Sequence, residues 1–134
     1  MITLADIFQA YYDCRRNKSN TREAIEFELD YEAHLIELYD EIISDRYRVG
    51  RSIAFIVDRP CVREVFAGAF RDRIVHHLIY NQINPLFERS FIHDSYSCRV
   101  GKGTRYGIDR VTRFMRSCSH NHQIDISVMK LDIA

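Results

Sequence analysis

The side chains best suited to chemistry in this sequence are arginines, and they gather in two blocks. The first block is RSIAFIVDRPCVREVFAGAFRDRIVHHLIY over residues 51–80, and the second is SYSCRVGKGTRYGIDRVTRFMR over residues 95–116. All but three of the 19 basic residues are arginine. A planar guanidinium group donates paired hydrogen bonds to phosphate and stacks on bases, so this bias is typical of nucleic-acid contacts.

The charge is divided unevenly along the chain, although its formal sum is zero. Residues 1–45 hold 11 acidic and 4 basic side chains, whereas residues 46–134 hold 8 acidic and 15 basic ones. Such a division predicts a basic working surface beside an acidic one. A chain of 134 residues is long enough for one domain with its own core.

The cysteines and the apolar runs limit the classes to which the protein could belong. Cys14, Cys61, Cys98 and Cys118 form no Cys-x-x-Cys pair and have no zinc-ligand spacing, so we expect free thiols. No apolar run is long enough to cross a membrane. These features predict a reduced, cytoplasmic protein without a membrane partner.

Helical spacing dominates residues 1–45, which we interpret as a helical lead-in. Residues 2–12 fit a short amphipathic helix, and a long surface helix follows, with Asn20 and Glu23 as a capping box. Its apolar residues lie in two neighbouring rows. One row is Ile25, Leu29, Ile36 and Ile43, the row beside it is Tyr31, Leu35, Leu38 and Ile42, and together they predict a wide apolar face.

The spacing changes to that of strands at Tyr47. Apolar and small or polar residues alternate up to Val57, the run 58–60 supplies a turn with proline, and residues 62–67 read as the returning strand. This pattern predicts a β-hairpin. Its rim would carry Arg51, Arg59 and Arg63.

Two further helices and a strand complete the predicted α+β domain. One helix starts at Phe70 and is expected to end near Asn84-Pro85, because proline cannot donate a helical hydrogen bond. Thr104 can cap the next helix, whose expected inward residues are Ile108, Val111, Met115 and Cys118. The alternating run IDISVMKLDIA predicts a strand over residues 124–134.

Two motifs suggest other chemistry without meeting its requirements. Gly101-Lys102-Gly103-Thr104 lacks the first glycine of a phosphate-binding P-loop and the Ser or Thr after its lysine. Glycines beside a lysine still permit close approach of a phosphate backbone. His76-His77 and the pair His120 and His122 lack the glutamate spacing of a metalloprotease, so we predict no metal there.

The order of these features resembles a reverse transcriptase of the prokaryotic retroelement type, which includes group II intron-like, retron-like and diversity-generating enzymes. The matching features are the arginine-bearing hairpin, a helix that begins RDRIV, the stretch NPLFERSF, the motif S-x-x-C-R-x-G-K-G-T, and the ending L-D-I. In that family the hairpin is the fingertip, and x-L-D-I opens the first palm motif. The resemblance covers residues 47–133. It implies a fingers subdomain with a helical lead-in (1–45), a hairpin and helices (46–123) and a first palm strand (124–134).

The resemblance also implies catalytic and nucleotide-binding roles. Asp132 would be the first catalytic carboxylate and would bind Mg²⁺ together with the carbonyl of Ile133. Arg63 would contact the phosphates of the incoming dNTP, and Arg59 is a looser candidate for a second contact. The implied activity is that of an RNA-directed DNA polymerase, a nucleotidyltransferase that extends a DNA primer on an RNA template.

Four further basic residues are candidates for the template. Arg99 and Lys102 would touch the template backbone, and Arg71 and Arg73 would form a basic lip beside the hairpin. The Tyr-x-Asp-Asp motif of the family, which supplies partner carboxylates, does not occur in the sequence. We therefore expect an N-terminal fingers fragment that is inactive alone, because two-metal phosphoryl transfer needs carboxylates from both motifs.

Two alternatives to a polymerase stay open. One is a non-catalytic nucleic-acid-binding module that has a polymerase-like fingers fold. The other is a phage-defence interaction domain that binds a partner protein. For the polymerase fragment, an open strand edge at residues 124–133 is expected to make the chain self-associate as a two-fold dimer.

Overall fold

The computed structural model describes residues 2–16 and 21–132, and these form a mixed α+β protein. They contain five helices and one two-stranded antiparallel sheet. The chain divides into two compact units, residues 1–87 and 88–134. The elements in chain order are α1 (Leu4–Arg15), α2 (Arg22–Glu28), α3 (Tyr31–Ile43), β1 (Ile53–Val57), β2 (Arg63–Ala67), α4 (Phe70–Ser90) and α5 (Thr104–Cys118).

Side-chain caps fix where the first helices begin. The Thr3 hydroxyl accepts the N–H of Asp6 at 3.3 Å, and the Asp6 carboxylate accepts the N–H of Thr3 at 2.8 Å, which is a complete capping box for α1. The helix predicted at residues 2–12 is therefore confirmed. Thr21 caps α2 by accepting the N–H of Ala24 at 3.4 Å. The predicted cap, Asn20, lies outside the described residues.

The single long helix predicted before the hairpin is in fact two helices, α2 and α3. The chain breaks at Asp30, whose φ of −146° and ψ of 54° are not helical. Aspartate is a favoured residue at the start of a helix, which explains why α3 begins afresh there. A break changes the phase of the helical repeat, so residues on its two sides no longer share one face.

The core of the first unit lies between its helices, and only the second of the two predicted apolar rows faces it. Leu35 and Leu38 are buried and Tyr31 and Ile42 pack against the core, whereas the other row is exposed: Ile25, Leu29, Ile36 and Ile43. The buried apolar residues are Ile7, Ala10, Tyr11, Cys14, Ala24, Leu35, Leu38, Phe70, Ile74, Val75 and Leu78.

The predicted β-hairpin is confirmed. Ile53 pairs with Ala67 and Val57 pairs with Arg63, and residues 58–62 form the connecting loop. Most side chains on both strands are exposed, so neither face of the sheet is fully covered. A two-stranded hairpin is only marginally stable alone. Its direction therefore depends on how its base is attached to the helices.

Helix α4 continues through Pro85, where the sequence predicted its end. Proline removes one hydrogen bond, the one to the carbonyl of Asn81. The following residues include Leu86, Glu88 and Arg89, which are strong helix formers. They carry the helix on to Ser90.

The second unit buries little of its apolar surface. The helix predicted here is present as α5, but Thr104 is its first residue and not its cap; the N-cap is Gly103, and the helix has no buried residue. The expected inward residues Ile108, Val111, Met115 and Cys118 are all exposed, because no other helix or strand in the described part of this unit covers them. Residues 126–129 line a groove of about 280 Å³ with the apolar side of α5.

The strand predicted over residues 124–134 is not formed in the described residues 124–132. A strand exists through pairing with a neighbour, and the one sheet within residues 2–16 and 21–132 pairs β1 with β2 only. The self-association predicted through this segment thus lacks a preformed strand edge. The structure describes no helix that is both long and apolar enough to cross a membrane.

Candidate nucleic-acid interface

The hairpin presents three exposed arginines. Arg51 precedes β1, Arg59 lies in the connecting loop, and Arg63 opens β2 opposite Val57. Within the described residues, the side chain of neither Arg59 nor Arg63 takes part in a hydrogen bond or an ion pair. Their guanidinium groups are therefore available to an external anion.

The other two arginines near the hairpin are already paired with carboxylates. Arg71 forms an ion pair with Glu41 of α3. Arg73 lies 3.8 Å from the carboxylate of Glu23, which also accepts the N–H of Phe70 at 3.1 Å. Both arginines thus connect α4 to the preceding helices. A template phosphate would have to compete with these carboxylates, and template binding by this pair stays a prediction.

Arg99 is used inside the second unit. It donates three hydrogen bonds to the carboxylate of Glu88, at 3.0, 3.1 and 2.8 Å, and one each to the carbonyls of Ile92 and Ser95, both at 3.0 Å. Its side chain is only 10% exposed. The bonds from Arg99 hold the pKa of Glu88 below its usual range. Arg99 therefore organises the loop after α4, and the structure does not bring it to a free surface.

Lys102 also has an internal partner, since its ammonium group donates to the carbonyl of His93. Its backbone N–H donates to the carbonyl of Arg99 at 3.1 Å, which closes a tight turn. Gly101 occupies this turn at a φ of +73°, a conformation that favours glycine. The glycines beside Lys102 thus shape a turn, and its contact with a template stays a prediction.

A second network in this unit was missed by the sequence reasoning. Arg110 of α5 donates to both oxygens of Asp94, at 2.8 and 3.0 Å, and the hydroxyl of Tyr96 donates to Asp94 at 2.5 Å. The hydrogen bonds from Arg110, followed by that from Tyr96, hold the pKa of Asp94 well below its usual range. Asp94 and Arg110 are 16 residues apart in the sequence, and no spacing rule links such positions.

Asp72 is a further residue whose role the sequence did not reveal. The structure buries Asp72 to 2% exposure. It accepts the hydroxyl of Tyr47 at 2.6 Å and the N–H of Gly50 at 2.9 Å. Burial and the bond to Asp72 raise the pKa of Tyr47 above its ordinary value. Asp72 therefore joins the base of the hairpin to α4.

The donor set around Asp132 does not form a metal site in the described part of the chain. Asp132 is exposed, and Ile133 lies outside the described residues. Across residues 2–16 and 21–132, no three His, Cys, Asp or Glu side chains are grouped so that they could hold a metal ion. The assignment of Mg²⁺ to Asp132 and Ile133 stays a prediction, and no chemical step is derived from it.

A comparison with models of known protein families finds no match, and neither does a comparison with curated proteins. Function is therefore inferred from the placement of the charged residues themselves. Of the six basic residues predicted to bind nucleotide or template, only Arg59 and Arg63 present guanidinium groups without an internal partner in the part of the chain that the structure describes.

Proposed function

We propose that this chain is the fingers part of an RNA-directed DNA polymerase, and that its hairpin binds the phosphates of the incoming dNTP. The observation that carries the proposal is the pair of exposed, unpartnered arginines, Arg59 and Arg63, at the loop end of the hairpin. The order of helices, hairpin and two helices agrees with the fingers resemblance. Under this proposal, the full enzyme copies an RNA template from a DNA primer.

The electrostatics favour the hairpin over the other candidate residues. A phosphate that binds Arg59 or Arg63 displaces only water and counterions, which gives favourable, salt-dependent binding. A phosphate that binds Arg99 would displace the carboxylate of Glu88 and two carbonyls. Because charge-assisted bonds of this kind are the strong ones, the exchange at Arg99 is unfavourable. We therefore assign the first phosphate contact to the hairpin.

The role that we assign to the described residues is binding of the nucleotide. Mg²⁺ would supply charge stabilisation for phosphoryl transfer in the full enzyme, with Asp132 as one of its carboxylate ligands. Arg59 and Arg63 would orient the triphosphate by paired hydrogen bonds.

The test is binding of a fluorescent deoxynucleoside triphosphate and of a labelled RNA strand, followed by fluorescence anisotropy. Arg63→Ala should weaken triphosphate binding about threefold to tenfold, as expected for one exposed charge contact of about 1 kcal/mol. Arg22→Ala is the matched control, because Arg22 is also exposed but lies on α2 and pairs with Glu26. This control should bind like the parent protein.

Two outcomes would contradict the proposal. One is an equal loss of binding in Arg63→Ala and Arg22→Ala, which would show that only net charge matters. The other is RNA binding without measurable triphosphate binding, which would favour the non-catalytic nucleic-acid-binding module instead.

A further inference from the structure

Asp72 connects both ends of the hairpin to one helix. It is the third residue of α4, and α4 follows β2 after only two residues, Gly68 and Ala69. Its carboxylate accepts the N–H of Gly50, which lies just before β1, and the hydroxyl of Tyr47 further upstream. Asp72 therefore links the segment just before β1 to α4, the helix that follows β2.

The groups around the Asp72 carboxylate are closely packed. A Cβ added to Gly50 would lie 3.1 Å from one Asp72 oxygen, so the close approach of this backbone depends on glycine. Arg71 lies over the ring of Tyr47 at 5.4 Å and so holds the phenol from its other side. A buried carboxylate is costly unless donors satisfy it. Here each oxygen of Asp72 has one donor, and both donors belong to the base of the hairpin.

Little else holds the hairpin against the helices. An open cleft of about 350 Å³ separates part of its surface from the helices of the same unit. Ile53, Phe55 and Ala67 line this cleft on the hairpin side, and Thr21, Arg22, Glu23 and Arg73 line it on the helical side. Since tight packing is missing here, the hydrogen bonds at the base set the direction of the hairpin.

We propose that Asp72 is the positioning residue of the hairpin, and that its bonds to Tyr47 and Gly50 fix the direction in which Arg59 and Arg63 meet an anionic ligand. The identity of that ligand, a nucleotide or nucleic-acid phosphate, rests on the proposed function. The orientation of the hairpin does not rest on it. Asp72 itself touches no ligand in this account.

The orientation can be measured with two spin labels. One label is attached to Cys61, which is exposed in the hairpin loop, and the other to Glu37→Cys on α3, with Cys98 and Cys118 replaced by serine. Double electron–electron resonance should give one narrow distance distribution. Tyr47→Phe removes one donor to Asp72 but keeps the ring under Arg71, so it should broaden the distribution.

Tyr80→Phe is the matched control, because Tyr80 lies on α4 and its hydroxyl has no hydrogen bond within the described residues. It should leave the distance distribution as it is. An unchanged distribution in Tyr47→Phe, or equal broadening in the control, would overturn the proposal. Asp72→Asn is a stronger variant, and Tyr47→Phe keeps the test valid should that variant fail to fold.

A binding measurement separates positioning from a direct contact. Tyr47→Phe should weaken binding of the fluorescent triphosphate about threefold to tenfold while the salt dependence of that binding stays the same, because it removes no phosphate contact. Arg63→Ala should make the binding less salt-dependent, because it does remove one. Unchanged affinity in a variant whose hairpin has become mobile would refute the positioning role. Absence of RNA and triphosphate binding in the parent protein would refute the proposed function alone, and the spin labels would still decide the role of Asp72.

Discussion

Different interactions stabilise each of the two units internally. Among the residues that the structure describes, every buried apolar side chain lies in the first unit, whereas Ser119 is the one buried residue of the second. The second unit relies on the charged pairs of Arg99 with Glu88 and of Arg110 with Asp94. Helix α5 has a regular apolar row and still buries none of it. An amphipathic pattern thus predicts a helix and its apolar side, but not that the side is covered within the same chain.

The same contrast applies to the arginines. Arg71, Arg73, Arg99 and Arg110 connect elements inside a unit, and Arg59 and Arg63 connect nothing in the described residues. The density of arginine in a sequence therefore overestimates the surface that is available to phosphate. Availability depends on which carboxylates the fold brings near.

The largest expected effect on stability comes from a cavity in the core of the first unit. Leu38→Ala should lower the free energy of unfolding by about 2–5 kcal/mol, because Leu38 is fully buried and the change leaves a cavity. Val128→Ala in the second unit should change it by less than about 0.5 kcal/mol, since Val128 is exposed. Urea unfolding followed by circular dichroism measures both values. Similar losses in the two variants would contradict the contrast between the units.

The next effect concerns the charged pairs of the second unit. Arg99→Ala should free the loop of residues 91–103, because it removes bonds to Glu88 and to two carbonyls at once. Chymotrypsin should then cleave at Phe91 and Tyr96 roughly tenfold faster, as expected for a loop released to local opening. Arg105→Ala, which removes only an exposed pair with Asp109, is the control. Cleavage at the parent rate in Arg99→Ala would show that the network does not order this loop.

A smaller effect should appear in the pH dependence of the second network. The pKa of Asp94 is lowered in the folded chain, so its contribution to stability is present above the unfolded pKa and is lost as the pH falls through the folded value. We expect the Asp94 carboxylate to stay ionised from pH 7 down to about 4, near the ordinary aspartate value, and to titrate only below it. An NMR titration of the Asp94 carboxyl carbon measures this. Arg110→Ala should move the midpoint upward, and a parent midpoint above pH 4 would contradict the account.

The smallest effect is expected for the exposed pair of Arg22 with Glu26 on α2. Both side chains are largely solvated, at 91% and 57% exposure, so water and salt screen their attraction. Arg22→Ala should leave the urea midpoint unchanged within the error of measurement. A clear shift would mean that surface pairs also stabilise the first unit, which would weaken the distinction between the two units.

Local signals in the sequence were sufficient for several elements. The alternation around the run 58–60 predicted the hairpin, and the apolar spacing predicted helices that start at Phe70 and Thr104. The break at Asp30 was not predictable, because the apolar spacing continues across it. The burial of Asp72 and its bond to Tyr47 depend on contacts 25 residues apart, which no local pattern encodes. The predicted strand over 124–134 is not formed in its described part, because a strand needs a neighbouring strand to pair with, and the periodicity of one segment does not show whether that neighbour is present.

The central claim is that the unpartnered arginines of the hairpin, and not the internally paired basic residues, contact phosphate. The most direct test compares the affinity for a fluorescent deoxynucleoside triphosphate in the parent protein, the double variant Arg59→Ala with Arg63→Ala, and Lys102→Ala. The double variant should weaken triphosphate binding about tenfold to a hundredfold, as expected for two exposed charge contacts of about 1 kcal/mol each, and Lys102→Ala should leave the affinity unchanged. An unchanged affinity in the double variant, together with a lower affinity in Lys102→Ala, would contradict the account.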